Sequence, residues 1–309
     1  MKKLVIALSY CGLLFLGSCN GCKEVPPAIN FGSSKAKDTT YVVNSVPAAQ
    51  THNVLIEEFT GEGCSNCPDA HTLLDGLVAA HAHGAINVIS LYQNAEGLSK
   101  PPDEAHFDLR NEDASAISGS TIYSTNADAN YNLLPGAGID RVPVTSGTST
   151  WLLRTSWTGL VNTRLTTANT INLDVSSTVT GGVATIIVNV TYTAATSTQQ
   201  NLSIAIVEDS IVDAQEKPFG EVDTMYEFNG VLVDMVTPVP FGDPILESMA
   251  TKEAGRVVQR VYSYTIPTAF KKGIVMPARC RVIAFVHAPA ASSPDFRVYQ
   301  SQQTKLMGP

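Results

Sequence analysis

The chain of 309 residues is expected to fold as an α/β half followed by an all-β half, and two stretches carry that expectation. Between Val54 and Val78 a short apolar strand, a glycine-loosened turn and an amphipathic helix follow one another. From about Ile171 onward, apolar residues recur at every second position, in runs separated by Thr-Gly-Gly, Thr-Ser-Thr and Pro-rich turns. That period belongs to antiparallel strands with one wet face.

Taken in order, the first residues are an export signal. Lys2 and Lys3 precede an apolar run from Leu4 to Leu16, and Gly17-Ser18-Cys19 follows. A membrane-spanning helix needs about 20 apolar residues, so the run is too short to be one. The segment resembles a bacterial lipoprotein signal with its lipobox. The resemblance implies removal of residues 1–18 and a mature protein held in the outer membrane by lipid, palmitate included, on Cys19. Cys22 sits in a poorer box, Cys11 would leave too short an apolar run, and an ordinary secretory signal is the alternative. Loss of Lys2 and Lys3 leaves 18 basic residues against 28 acidic ones, a formal charge of −10. Such a balance argues against nucleic acid as a partner. Export also places the cysteines where a disulfide can persist.

Residues 19–50, rich in Pro, Ser, Ala, Asn and Lys with no sustained apolar period, read as a flexible tether. Residues 51–166 form the α/β half. Val54, Leu55, Ile56 and Phe59 make a buried strand, Gly61 and Gly63 a turn, and Ala70, Leu73, Leu74, Leu77 and Val78 one face of a helix. Cys64 and Cys67 therefore fall where a strand hands over to a helix. Thioredoxin-like folds put a Cys-x-x-Cys pair at that place, because free N–H groups at a helix start can stabilise a thiolate. Glu58, six positions before Cys64, resembles the buried carboxylate of thioredoxin in its spacing, and it shares strand parity with Val54 and Ile56. Glu57 has the opposite parity and is the less inward of the two. Val142-Pro143 resembles the cis-proline turn that faces the cysteines in that fold, with an insertion between about Asn94 and Pro135.

A second apolar strand spans Ala85 to Tyr92, the insertion holds a helical stretch from Asp103 to Ile117, and Trp151 to Leu165 has helical spacing suited to a closing helix. Residues 167–309 are the β half. Alternating runs around Ile171–Val175, Ala184–Tyr192, Leu202–Ile206, Val257–Tyr264, Arg279–Val286 and Phe296–Gln303 fit an antiparallel β-sandwich of the immunoglobulin-like kind. A small transmembrane barrel is the rival, disfavoured because several runs are too short for a membrane crossing.

The lipobox, Glu58-Phe59-Thr60-Gly61 before Cys64-Ser65-Asn66-Cys67-Pro68, Val142-Pro143, and Tyr226-Glu227-Phe228-Asn229-Gly230-Val231-Leu232 together resemble the Bacteroidetes outer-membrane lipoproteins related to the 28-kDa outer membrane protein. That likeness implies a cell-envelope lipoprotein, periplasmic or surface-facing, with a thioredoxin-like half and a β-sandwich half.

Two functions are open on these residues. In the first, Cys64 is an exposed nucleophile, Cys67 resolves the mixed disulfide, Glu58 relays a proton and Pro143 shapes a groove for thiols of other envelope proteins. In the second, the protein is a non-catalytic binding or scaffold lipoprotein and the Cys64–Cys67 disulfide is structural. Charge favours an unreactive pair: from Asp38 to Ser99 there are seven acids and no Lys or Arg, and like charges disfavour a thiolate. Pro68 suits only a first helical turn, so Ser65 or Asn66 is the N-cap and Cys64 lies just before it. His71, one helical turn after Cys67, is the nearby candidate cation. No second Cys or His pair completes a zinc set, and no cofactor is expected. His81 and His83 are read as helix-terminal caps, and Cys280 as a buried thiol.

Overall fold

Alternation in the sequence becomes a structure that is mostly β with few helices. The computed structural model describes residues 34–123, 133–143, 149–292 and 294–308, with the backbone alone for 34–37. The expected export signal, Cys19 and Cys22 lie outside them. In chain order come β1 (Ser34–Val42), β2 (Val54–Thr60), α1 (Cys67–Ala79), β3 (Ile86–Tyr92), α2 (Glu112–Ser118), β4 (Gly136–Ile139) and α3 (Trp157–Leu165). Then follow β5 (Ile171–Thr180), β6 (Val183–Tyr192), β7 (Asn201–Glu208), β8 (Ile211–Glu216), β9 (Val222–Phe228) and β10 (Val231–Met235). Last are β11 (Asp243–Pro244), β12 (Arg256–Thr265), β13 (Cys280–His287) and β14 (Val298–Lys305).

The boundary expected near residue 166 does not separate two bodies. One sheet runs β14-β13-β7-β10-β3-β2-β4, with β11 beside β7, and so draws strands from both halves. Its left part is antiparallel, β2 and β3 are parallel, and β4 returns antiparallel to β2. The junction is narrow: β10 meets β3 through the single pair Val231 and Ser90, reinforced by Ser90 N–H donating to the Gly230 carbonyl at 2.7 Å.

A second, four-stranded sheet runs β1-β12-β6-β5. It packs on β7 and β13 through Leu173, Ile186, Val188 and Tyr262 on one side and Ile204, Ile206, Val282 and Ala284 on the other. Both sheets are open paths, so the strands are stacked rather than closed into a barrel. On the large sheet, Val54 and Ile56 face α1 and α3 with Leu74, Leu77, Trp157 and Val161. Leu55 and Phe59 face the other way, against Ile117, Tyr123, Phe285 and Phe296. Coverage on both faces explains why β7 reads Leu-Ser-Ile-Ala-Ile-Val and is buried along its whole length.

Two local expectations are corrected. Residues 34–42, read as tether, form edge strand β1, with Thr39 opposite Gln259 and Tyr41 opposite Val257. Backbone ladder bonds need no apolar period, and a charged edge strand is a common device against aggregation. The helix expected from Asp103 is confined to α2, which Asn111 caps by accepting from Asp113 N–H and Ala114 N–H. Upstream, the Asp213 carboxylate takes the His106 and Phe107 N–H groups and Glu62 takes that of Leu109, which holds those residues out of a helix.

Candidate functional site

Cys67 begins α1, Asn66 is its N-cap without a side-chain cap bond, Pro68 lies in the first turn and Asp69 follows. Cys64 precedes the cap, and Cys67 N–H donates back to its carbonyl at 3.0 Å. The two cysteines form a disulfide. They are 1% and 0% exposed, so Cys64 is not the exposed nucleophile of the exchange reading.

Two segments far away in sequence cover them. The backbone of residues 97–100 lies so close that a Cβ on Gly61 would collide with the Leu98 carbonyl. From the other side, the hairpin of β8 and β9 lies over the turn: Gln215 Nε2 donates to the carbonyls of Cys64 at 3.0 Å and Gly61 at 3.3 Å, and Glu216 N–H to that of Glu62 at 2.9 Å. Glu62 is buried with it, and desolvation pushes its carboxyl up to about 8.

Glu58 points to the α1 face, as its parity requires. It is 1% exposed, and desolvation, partly offset by a hydrogen bond from Ser90 at 3.0 Å, raises its carboxyl to about 8. Its other oxygen, Oε1, has no hydrogen-bond partner; His71 Nε2 is 3.4 Å away. His71 is held between the Thr60 hydroxyl, 2.8 Å from Nε2, and the Tyr226 hydroxyl, 2.7 Å from Nδ1. Burial lowers its pKa to about 4, so it is neutral near pH 7 and is not the expected cation. Glu57 is as buried as Glu58, because the sheet is covered on both faces; it receives Arg141 Nε and NH2, each at 2.7 Å, and the Tyr123 hydroxyl.

The proline expectation changes position. Among the described residues, cis bonds lie at Val239–Pro240 and at Leu134–Pro135, the latter immediately before β4, whose Gly136 pairs with Phe59. Pro143 is exposed and four residues past the end of that strand. Its Val-Pro-Val surroundings resemble a strand-entry turn in sequence, but the chain enters the sheet earlier, at Pro135.

A cavity of about 490 Å³ opens between α1 and β3, with Glu58, His71 and Ser90 in its lining. Its lining also takes in Asn229 and Gly230, from the Tyr226–Leu232 motif, and Arg281 and Gln303, which no local motif marks. Three other histidines are engaged in the framework: His81 Nδ1 caps the Leu77 carbonyl at 2.8 Å, His52 Nε2 meets Asp140 at 2.7 Å, and His287 Nε2 meets the Ser203 hydroxyl at 2.8 Å; His83, expected as a cap, is exposed. Cys280 is a buried free thiol, pushed up to about 12 by burial and then by Glu208 and Asp209.

Three comparisons bear on identity. The family described as "Outer membrane protein Omp28" matches residues 125–307. No curated protein matches the chain. Among solved structures, HBP35 of Porphyromonas gingivalis has a similar fold, with a TM-score of 0.59 at 10% identity over 84% of this chain and 77% of that one.

Proposed function

Because the chain belongs to the outer membrane protein Omp28 family and is thus an outer-membrane or cell-envelope protein, we propose that it serves there as a non-catalytic binding or scaffold protein whose Cys64–Cys67 disulfide is a structural staple. The observation that carries this reading is the burial of both cysteines, 1% and 0% exposed, under the 97–100 loop and Gln215. Thiol–disulfide exchange needs an attacking thiolate to reach one sulfur along the bond. Burial of both sulfurs further disfavours a thiolate.

The proposal includes an N-terminal lipid on Cys19 as anchor and a thioredoxin-like arrangement of β2, α1, β3, β4 and α3 joined to an immunoglobulin-like sandwich. The strand order β3-β2-β4, with a disulfide at the start of the helix after β2, supports the first part of that description. The antiparallel β1-β12-β6-β5 sheet stacked on the antiparallel β14-β13-β7-β10 part of the large sheet supports the second. Exchange with envelope thiols is the second reading, favoured by Glu58 alone, a buried acid near pKa 8 on the strand leading to the cysteines.

Thiol trapping separates the two. The purified protein is equilibrated across glutathione ratios, and a Cys67→Ser variant is used to capture mixed disulfides. A staple resists reduction below roughly −300 mV, is reduced only as the fold opens in urea, and traps no envelope protein. Cycling above about −270 mV with captured partners would establish exchange instead.

A further inference from the structure

The cavity between α1 and β3 combines two opposed chemistries. Two facing walls are apolar, with Leu74 and Val78 on one side and Ile86 and Val88 on the other. Glu58 lines it between them, and its buried Oε1 lacks a hydrogen-bond partner. Asp75 and Glu227 also line it, and desolvation together with Glu227 raises the Asp75 carboxyl above its ordinary value. The guanidinium in the lining, Arg281, is already bidentate on Asp209, at 2.5 and 2.7 Å, and has little left for an anion.

An anionic guest meets Asp75 and Glu227 with Arg281 already paired, and a wholly apolar guest leaves Glu58 Oε1 buried and unpaired. A carbon body carrying a positive charge satisfies both walls and floor. We propose that this cavity binds a small organic cation, a primary amine with an aliphatic or aromatic body, its ammonium on Glu58 and its carbons between α1 and β3. The volume of about 490 Å³ suits a small molecule, whose pockets run from roughly 300 to 1,000 Å³. The inference rests on the structural reading of the disulfide in one respect: Glu58 serves the cavity rather than Cys67.

Proton linkage supplies a signature. The groups facing Glu58 are His71 and Asp75 from α1, Ser90 and Tyr92 from β3, and Tyr226 from β9. His71 is neutral well below pH 7 and both tyrosines titrate above their ordinary range. With desolvation raising it to about 8, Glu58 is mostly protonated at pH 7, so an ammonium that pairs with its carboxylate displaces that proton.

The test is calorimetric titration of n-hexylamine into the purified oxidised protein at pH 7, in buffers of differing ionisation heat, with n-hexanol and hexanoate as comparators. Saturable amine binding is expected, with release of about one proton and affinity about tenfold or more above either comparator. Glu58→Gln should weaken it about 30-fold or more and abolish the proton release. Val78→Trp, which fills the cavity from its edge and leaves Glu58 in place, should also block it. The proposal fails if hexanoate or hexanol binds as well as the amine, if Glu58→Gln binds unchanged, or if a protein folded by circular dichroism gives no saturable heat with the amine. All titrations use the disulfide form, so a finding that Cys64 and Cys67 exchange leaves the amine result standing, and loss of amine binding leaves the trapping result standing.

Discussion

Glu57 and Glu58, adjacent on β2, end on opposite faces of one sheet, the first clasped by a guanidinium and the second lining a cavity with neutral His71 3.4 Å from its free oxygen. Arg141 reaches Glu57 from the residues after β4, where Asp140 and Arg141 both adopt left-handed backbone, φ 47° and 53°. Its guanidinium lies over the Phe285 ring, 5.1 Å from the centroid. Removing one partner of a buried ion pair leaves the other charge uncompensated. Arg141→Met should therefore cost about 3–5 kcal/mol in urea unfolding, and the double change with Glu57→Leu should recover a large part of it. A single variant within about 1 kcal/mol of the parent would show that the pair is solvated.

For Glu58, the fold prefers the neutral form. Its pKa rises from 4.5 to about 8, so its contribution is whole below pH 4.5 and is lost as pH climbs to about 8, at about 1.4 kcal/mol per pH unit. Glu62 acts in the same sense. His71, lowered to about 4 from 6.5, acts in the opposite sense, losing stability as pH falls through that lower range. The window from 6.5 to 8 isolates the carboxyls. There the parent protein should lose stability with rising pH, and Glu58→Gln should lose less and be the more stable protein at about pH 8. Parallel slopes for the two would refute the assignment.

The seating of residues 97–100 on the disulfide turn depends on the missing side chain of Gly61. In Gly61→Ala the new methyl meets the Leu98 carbonyl, an overpacking expected to cost about 1–3 kcal/mol. The displaced loop should also let a phosphine reduce the disulfide faster under native conditions. A reduction rate equal to that of the parent would place the protection elsewhere, with the hairpin and Gln215.

Phe219, at the tip of the β8–β9 hairpin, is fully exposed and held at φ 69°. A bulky side chain is disfavoured there by about 1 kcal/mol or more, and glycine is not. Phe219→Gly should raise the urea midpoint by an amount worth a few tenths to about 1 kcal/mol, since glycine also gives entropy to the unfolded chain. A lowered midpoint would mean that the ring has a partner in the folded protein.

Much of this was legible in the sequence where one local period decided the outcome. The six alternating runs are β5, β6, β7, β12, β13 and β14, and the strand, cysteine turn and helix around Cys64 stand where spacing put them. What escaped depends on partners distant in the chain. Residues 34–42, with Lys35, Lys37 and Asp38, carry no apolar stripe, and β12 makes them a strand. The β8–β9 hairpin alternates poorly because Asp213 and Gln215 turn inward to hold other loops. Parity placed Glu58 correctly and misjudged Glu57, because alternation tells which face a residue takes but not whether that face is covered. The shared sheet was unreadable for the same reason: only the return of Gly230 to Ser90 brings β10 beside β3.

That return has a mechanical consequence. Two β blocks are zipped along many rungs internally and joined to each other across the large sheet by one rung, Val231 to Ser90. Pulled or warmed, the sheet should part first along this line, and amide hydrogen exchange should report it as the weakest rib of the molecule. The cavity straddles it, with Ser90 on one bank and Asn229 and Gly230 on the other. A guest lodged there would act as a rivet, so occupancy would be felt as stiffness across the whole sheet.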